Sequence, residues 1–190
     1  MARPKSEDKR TAILEAATQV FAERGIGAAT SAISKEAGVA EGTLFTYFKT
    51  KDELVNALYR EIKVELADAM MAGFPRKKSV RQRLQHVWDS YIGWGLANEE
   101  KNRVLKRVEV WDGLTKESKK AGTAPFAEIK AMLDEAEELG IMKDLPRRFG
   151  GAMMEALAGS VMDLSRGDPK RADVYKAAAF EMLWGGIARR

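Results

Sequence analysis

The chain contains no cysteine and a single histidine, His86. The first absence excludes disulfides, thiolate nucleophiles, cysteine-based zinc sites and thiol redox sensing; the second excludes a multi-histidine metal cluster. His86, flanked by Gln85 and Val87 in a helical pattern, reads as a partly exposed histidine rather than a ligand or general base. No apolar run approaches the about 18 residues of a membrane span. The opening MARPKSEDKR is charged where a secretory signal would be apolar, so a cytoplasmic protein with no membrane partner is expected. Strand pairs, hairpin signatures, internal repeats and low-complexity tracts are also missing. No nucleophile–base pairing or cofactor motif is present, so the expectation is neither an enzyme nor a cofactor or metal protein. The plentiful carboxylates, such as Glu135, Glu137 and Glu138, read as solvated helix faces.

What remains is helix. Apolar residues recur at helical spacing across 7–24, 31–37, 41–47, a long segment from 51, then 80–97, 99–111, 125–139, 146–166 and 169–188. Gly25, Gly38, Gly113, Gly122, Gly140 and Gly167 punctuate them, and Pro125, Pro146 and Pro169 stand near first-turn positions. The fold class is therefore all-α with about nine helices. It is expected to divide into a three-helix N-terminal domain over 1–52 and a larger helical domain over 53–190. A composition 45% hydrophobic and 32% charged is that of an ordinary globular protein, and a net charge of +4 permits a nucleic-acid partner without demanding one.

The stretch AGVAEGTLFTYFKTKDEL, 37–54, carries the function. Two short helices joined by a glycine turn have helix-turn-helix geometry. Ile33 and Ala37 face inward, small Ser34 allows close approach, Gly38 supplies a left-handed backbone, Val39 fills the corner, and Leu44 and Phe48 anchor the second helix. Glu41, Gly42, Thr43, Phe45, Thr46 and Tyr47 are left to project, as a recognition helix presents residues to a major groove. Gly42 lets the backbone approach DNA, or is tolerated first-turn chemistry. Tyr47 can reach a phosphate with its hydroxyl, and Phe45 can offer an apolar edge to a thymine methyl. Thr50-Lys51-Asp52-Glu53 forms a capping box, with Thr50 as N-cap and Glu53 returning to its amide; Lys51 in that first turn can hold a phosphate. Thr30 or Ser31 caps the second helix, with or without a phosphate contact. The basic residues Arg3, Lys5, Lys9 and Arg10 either form an arm for the minor groove or a solvated tail.

The run from Ile13 to Leu54, with its core AGVxxGTL-x-x-YF-x-x-K, resembles the DNA-binding domain of the TetR family of bacterial transcriptional regulators. The resemblance covers about the first quarter of the chain. It implies a homodimer on a palindromic operator in double-stranded DNA, phosphate contacts from Thr43, Tyr47 and Lys51, and base or groove contacts from Glu41, Gly42, Phe45 and Thr46. Phe45 departs from the family's usual tyrosine and loses any hydroxyl contact there. Glu41 is acidic where a base contact is expected: it either accepts from a cytosine amino group or sits beside the DNA without touching it.

Beyond residue 54 the family implies a small-molecule effector cavity among the central helices. Met70, Phe74, Trp88, Tyr91, Val108, Trp111, Phe126 and Met132 are its candidate lining, suited to an apolar or aromatic compound, with plain core packing as the competing reading. Glu109 is a polar pocket group or a rim residue. Small residues on the last two helices, Ala152, Ala156, Gly159, Ala178 and Ala179, together with Met182, suit a four-helix contact between copies or packing within one chain. The resulting expectation is a ligand-responsive regulator, most simply a repressor. Its rival is a DNA-binding protein of the same fold with no small-molecule effector, controlled by a protein partner or organising the chromosome.

Overall fold

The structure, a computed structural model, describes residues 5–189, the side chains at 5, 6 and 147 excepted. Among these residues lie ten α-helices: α1 Lys5–Arg24, α2 Thr30–Glu36, α3 Glu41–Tyr47, α4 Lys51–Met71, α5 Val80–Ala97, α6 Glu99–Glu109, α7 Lys116–Thr123, α8 Ala127–Glu138, α9 Arg147–Gly167 and α10 Ala172–Ile187. Single 3-10 turns precede α8 and α10. The only strand-like pairing among the described residues is one antiparallel bridge, Met142 to Ala188. The helix beyond the expected nine is α7.

Two compact units emerge. The first holds the described residues up to Glu65 with Asn98–Ala124, the second Leu66–Ala97 with the described residues from Pro125 onward. Residues 53–65, α6 and α7 thus pack with the N-terminal helices. The physical reason is polar as well as apolar. The Phe21 carbonyl in the last turn of α1 accepts the Gly25 amide at 3.0 Å, and α6 adds side-chain donors to that turn. Arg107 donates to the carbonyls of Phe21 and Ala22, and Arg103 donates to Ala22 at 3.4 Å. Cationic groups at a helix C-terminus also suit its dipole. Beneath them Ile13, Phe21, Ile33, Leu44, Leu54 and Val104 are completely buried.

Helix α4 organises the loop between α6 and α7. The buried Asn56 amide donates to the Gly113 carbonyl at 3.0 Å and accepts from the Thr115 amide at 3.0 Å, while Arg60 donates to Ser118 at 2.7 Å. Helix α7 escaped the periodicity because it has no apolar stripe: only Ser118 and Gly122 are buried, and its start is marked by Thr115, whose hydroxyl accepts the Ser118 amide at 3.1 Å. Gly122 is needed because the ring of Tyr59 occupies its side-chain space; a Cβ there would lie 2.5 Å from Tyr59 Cε1. Burial, with Glu109 nearby, pushes the Tyr59 phenol up. Gly122→Ala is expected to lower stability by about 1–2 kcal/mol, overpacking outweighing the gain in helix propensity, as measured by urea denaturation.

In the second unit Trp88, Ile92, Met132, Met162 and Phe180 form the buried centre. Trp88 Nε1 donates to the Lys176 carbonyl at 3.0 Å, tying α5 to α10. Helix α8 ends in a Schellman turn with Gly140 at φ 66°: the Gly140 amide donates to Glu137 and the Ile141 amide to Ala136. His86 is half-buried, its Nε2 3.1 Å from the Met70 carbonyl and its ring edge-on to Phe74 at 5.8 Å.

Candidate nucleic-acid interface

The α2–α3 turn follows from its sequence. Gly38 adopts φ 64°, the Val39 amide returns to the Ser34 carbonyl at 3.0 Å and the Gly38 amide to Lys35 at 3.2 Å, a Schellman motif that ends α2 and turns the chain into α3. Ser34 is buried and its hydroxyl donates back to Thr30 and Ser31 carbonyls. Ile33, Leu44 and Phe48 are buried, so α3 is held by one face.

The opposite face is open. Glu41, Gly42, Phe45 and Thr46 are exposed, and Thr43 and Tyr47 are half-buried. Phe45, at 40% exposure, presents an apolar ring to solvent that the chain itself does not cover. Gly42 has no positive φ, and a Cβ at that position would meet nothing within 4 Å. The folded chain therefore makes no demand for glycine at 42. Thr46 donates its hydroxyl to the Gly42 carbonyl at 3.0 Å.

Two expectations for local capping need correction. Helix α2 begins with Ala29 as N-cap and has no side-chain cap. Neither Thr30 nor Ser31 caps it, because Thr30 already lies inside the helix and its hydroxyl donates to Glu41 Oε1 at 2.7 Å. At α4 the Thr50 hydroxyl accepts the Glu53 amide at 3.1 Å as expected, but the Glu53 carboxylate takes the Lys49 amide, one residue earlier than Thr50, at 2.9 Å. The extended backbone at Phe48 brings that amide into reach. Lys51, in the first turn of α4, sits over the Phe21 ring at 6.0 Å. Arg10 and Lys9 belong to helix α1 rather than an arm; Arg10 pairs with Glu61 and covers the Phe48 ring at 5.6 Å. Arg3 lies outside the described residues, and Lys5 is placed only as the start of α1. Exposed Lys35 and Lys49 add positive charge at the ends of α2 and α3 that the motif did not single out.

The proposed effector lining divides between units. Met70, Phe74, Trp88, Tyr91, Phe126 and Met132 belong to the second, Val108 and Trp111 to the first. Val108 is buried there, and Trp111 is half-buried with its ring over Gly113, where a Cβ would stand 2.2 Å from the indole. Glu109 pairs with Lys63 at 3.4 Å. In the second unit Met70, Phe74, Trp88 and Met132 are buried, and Tyr91 and Phe126 are half-buried.

Helices α9 and α10 pack on one another and leave an apolar surface. Ala152, Ala156, Ala178 and Met182 are exposed and Gly159 half-buried, whereas Ala179 is buried within the chain itself. Phe149, Met153 and Leu164 on α9 and Val174 on α10 are exposed too; attention to small residues passed over these larger ones. Val174, Ala178 and Met182 are spaced as one helical stripe. No helix among the described residues is long and apolar enough to cross a membrane, and no three acidic or histidine side chains among them converge as a metal site.

Residues 13–58 match the family described as bacterial regulatory proteins, tetR family. Over 99 residues the chain is 29% identical to the fatty acid metabolism regulator protein of Bacillus subtilis (strain 168), an alignment covering 52% of this chain and 50% of that protein. The chain spans about half the length of the curated relatives it matches. The crystal structure of a TetR family transcription regulator from Marinobacter aquaeolei VT8 aligns over 100% of both chains with a TM-score of 0.90 and 25% identity. The transcriptional regulator FadR from Bacillus subtilis, solved in complex with stearoyl-CoA, shares the fold with a TM-score of 0.71 and 21% identity over 93% of this chain and 98% of that one.

Proposed function

We propose that the chain, whose residues 13–58 match the tetR family of bacterial regulatory proteins, acts in the cytoplasm as a homodimeric transcriptional repressor, released from a palindromic operator by an apolar effector. The observation that carries the DNA-binding reading is the open face of α3. That face carries an exposed phenylalanine, a glycine the fold does not require and an exposed threonine, and Lys51 lies in the first turn of the next helix, α4. Such a face suits a major groove, with Thr43, Tyr47 and Lys51 on phosphates. In this reading the exposed stripes of α9 and α10 meet their copies about a two-fold axis, and the first 52 residues bind DNA while the remainder serves effector and dimer.

The effector is assigned to the second unit, among Met70, Phe74, Tyr91, Phe126 and Met132, whose adaptable, largely apolar side chains favour a hydrophobic ligand. Helix α4 has residues in both units, so a ligand that shifts it would change the separation of two recognition helices that must stand about 34–36 Å apart, or a multiple of that. The fatty acid regulator among the relatives makes stearoyl-CoA a rational first probe.

The test is selection from a random duplex pool followed by affinity measurement. Tyr47→Ala and Lys51→Ala are each expected to weaken binding across all sequences, and Lys51→Ala to reduce the slope of log K against log salt by about one unit. A double variant that binds a selected duplex as tightly as the parent would remove this face from the interface.

A further inference from the structure

The Thr30–Glu41 hydrogen bond joins the start of α2 to the start of α3 at 2.7 Å. Thr30 does not cap α2, whose N-cap is Ala29 without a side-chain bond, and its one donatable proton, which a phosphate contact would need, goes to Glu41 Oε1. Glu41 is exposed at the N-terminal end of the recognition helix, the end whose residues reach base edges. A free glutamate there would swing among rotamers and carry its charge toward the phosphates. Pinned through Oε1, the exposed carboxylate has its second oxygen left to accept.

We propose that Thr30 and Glu41 form one readout unit: the Thr30 hydroxyl fixes the Glu41 carboxylate so that it accepts from the N4 amino group of a cytosine, setting the preference at one base pair of each half-site. This rests on the regulator reading above. The choice of base follows from charge. Guanine and thymine present acceptors in the major groove, which repel a carboxylate. Adenine presents its amino group beside the N7 acceptor, whereas cytosine offers the donor with no acceptor on its own edge. Thr30 is here a positioning residue, acting through Glu41.

The experiment compares wild type, Glu41→Gln, Thr30→Val and Thr30→Ser. Each is put through selection from a random duplex pool, then binding to the selected duplex and its single-base-pair substitutions at one fixed salt concentration. Wild type should lose roughly tenfold or more when one particular C·G pair per half-site is replaced. Glu41→Gln should shift that position toward adenine, which glutamine can contact through N6 and N7, and should bind unselected DNA more tightly for want of a negative charge. Thr30→Val, nearly isosteric but without the donor, should blunt discrimination at that position alone, and Thr30→Ser should restore it. An unchanged selected sequence for Glu41→Gln overturns the inference. So does a Thr30→Val variant that weakens all duplexes equally, which would make Thr30 a phosphate ligand after all. If wild type enriches no sequence, the regulator reading itself fails, which the first arm reports separately.

Discussion

Replacing Val174 and Met182 together by glutamate is expected to leave a folded monomer whose affinity for a palindromic operator falls by about 10²–10⁴-fold. Both side chains are largely exposed in the single chain, at 64% and 68%, so the chain's own core loses nothing when they change. They lie eight residues apart on α10 with Ala178 between them, and Phe149, Met153 and Leu164 supply exposed apolar surface on α9. In a two-fold contact each introduced carboxylate would be desolvated near its symmetry mate, and unpaired buried charge costs several kcal/mol. The effect on DNA follows from linkage. A dimer binds its second half-site as an intramolecular event, and a monomer forfeits that effective concentration. Sedimentation should therefore report a monomer, circular dichroism an unchanged helix content, and a single half-site duplex an unchanged affinity. A protein that remains dimeric at micromolar concentration would place the interface on another face.

The features most readable in the sequence were those decided locally. Gly38 lies at φ 64° because only a left-handed residue closes the α2 turn, and that requirement is visible in the spacing of Ala37, Gly38 and Val39. Thr50 meets the Glu53 amide because a helix start leaves amides without partners. Features decided by distant partners were not readable. Nothing in KESKKAGT announces α7, whose buried positions are Ser118 and Gly122, chosen by Arg60 and Tyr59 more than fifty residues away. The guanidiniums of Arg103 and Arg107 resemble any surface charge on a helix until the carbonyls of α1 are placed beneath them. The same limit applies to the apolar stripes. Val108 and Trp111 share helical spacing with residues that belong to the other unit, and periodicity reports that a side is covered without saying by what.

That ambiguity can be resolved by thermodynamics at Trp88. Trp88→Ala is expected to destabilise the protein by about 3–5 kcal/mol, the full penalty of truncating a large core side chain. The residue is 0% exposed, its indole donates to the Lys176 carbonyl at 3.0 Å, and its ring lies 6.4 Å from that of Phe180. Truncation would lose the packing and the tie between α5 and α10 at once. Trp111→Ala makes the contrast within the same protein. That indole is half-buried and rests on Gly113, so its loss should cost less than about 2 kcal/mol. Tyr91, also half-buried, should likewise cost less than about 2 kcal/mol when truncated, while changing which compounds release the protein from DNA. Urea denaturation of the three variants gives the energies, and displacement of a bound duplex by stearoyl-CoA and a panel of apolar compounds gives the effector response. Should Trp88→Ala cost less than about 2 kcal/mol and also alter that response, Trp88 would be a wall of the effector cavity rather than the keystone of the second unit's core.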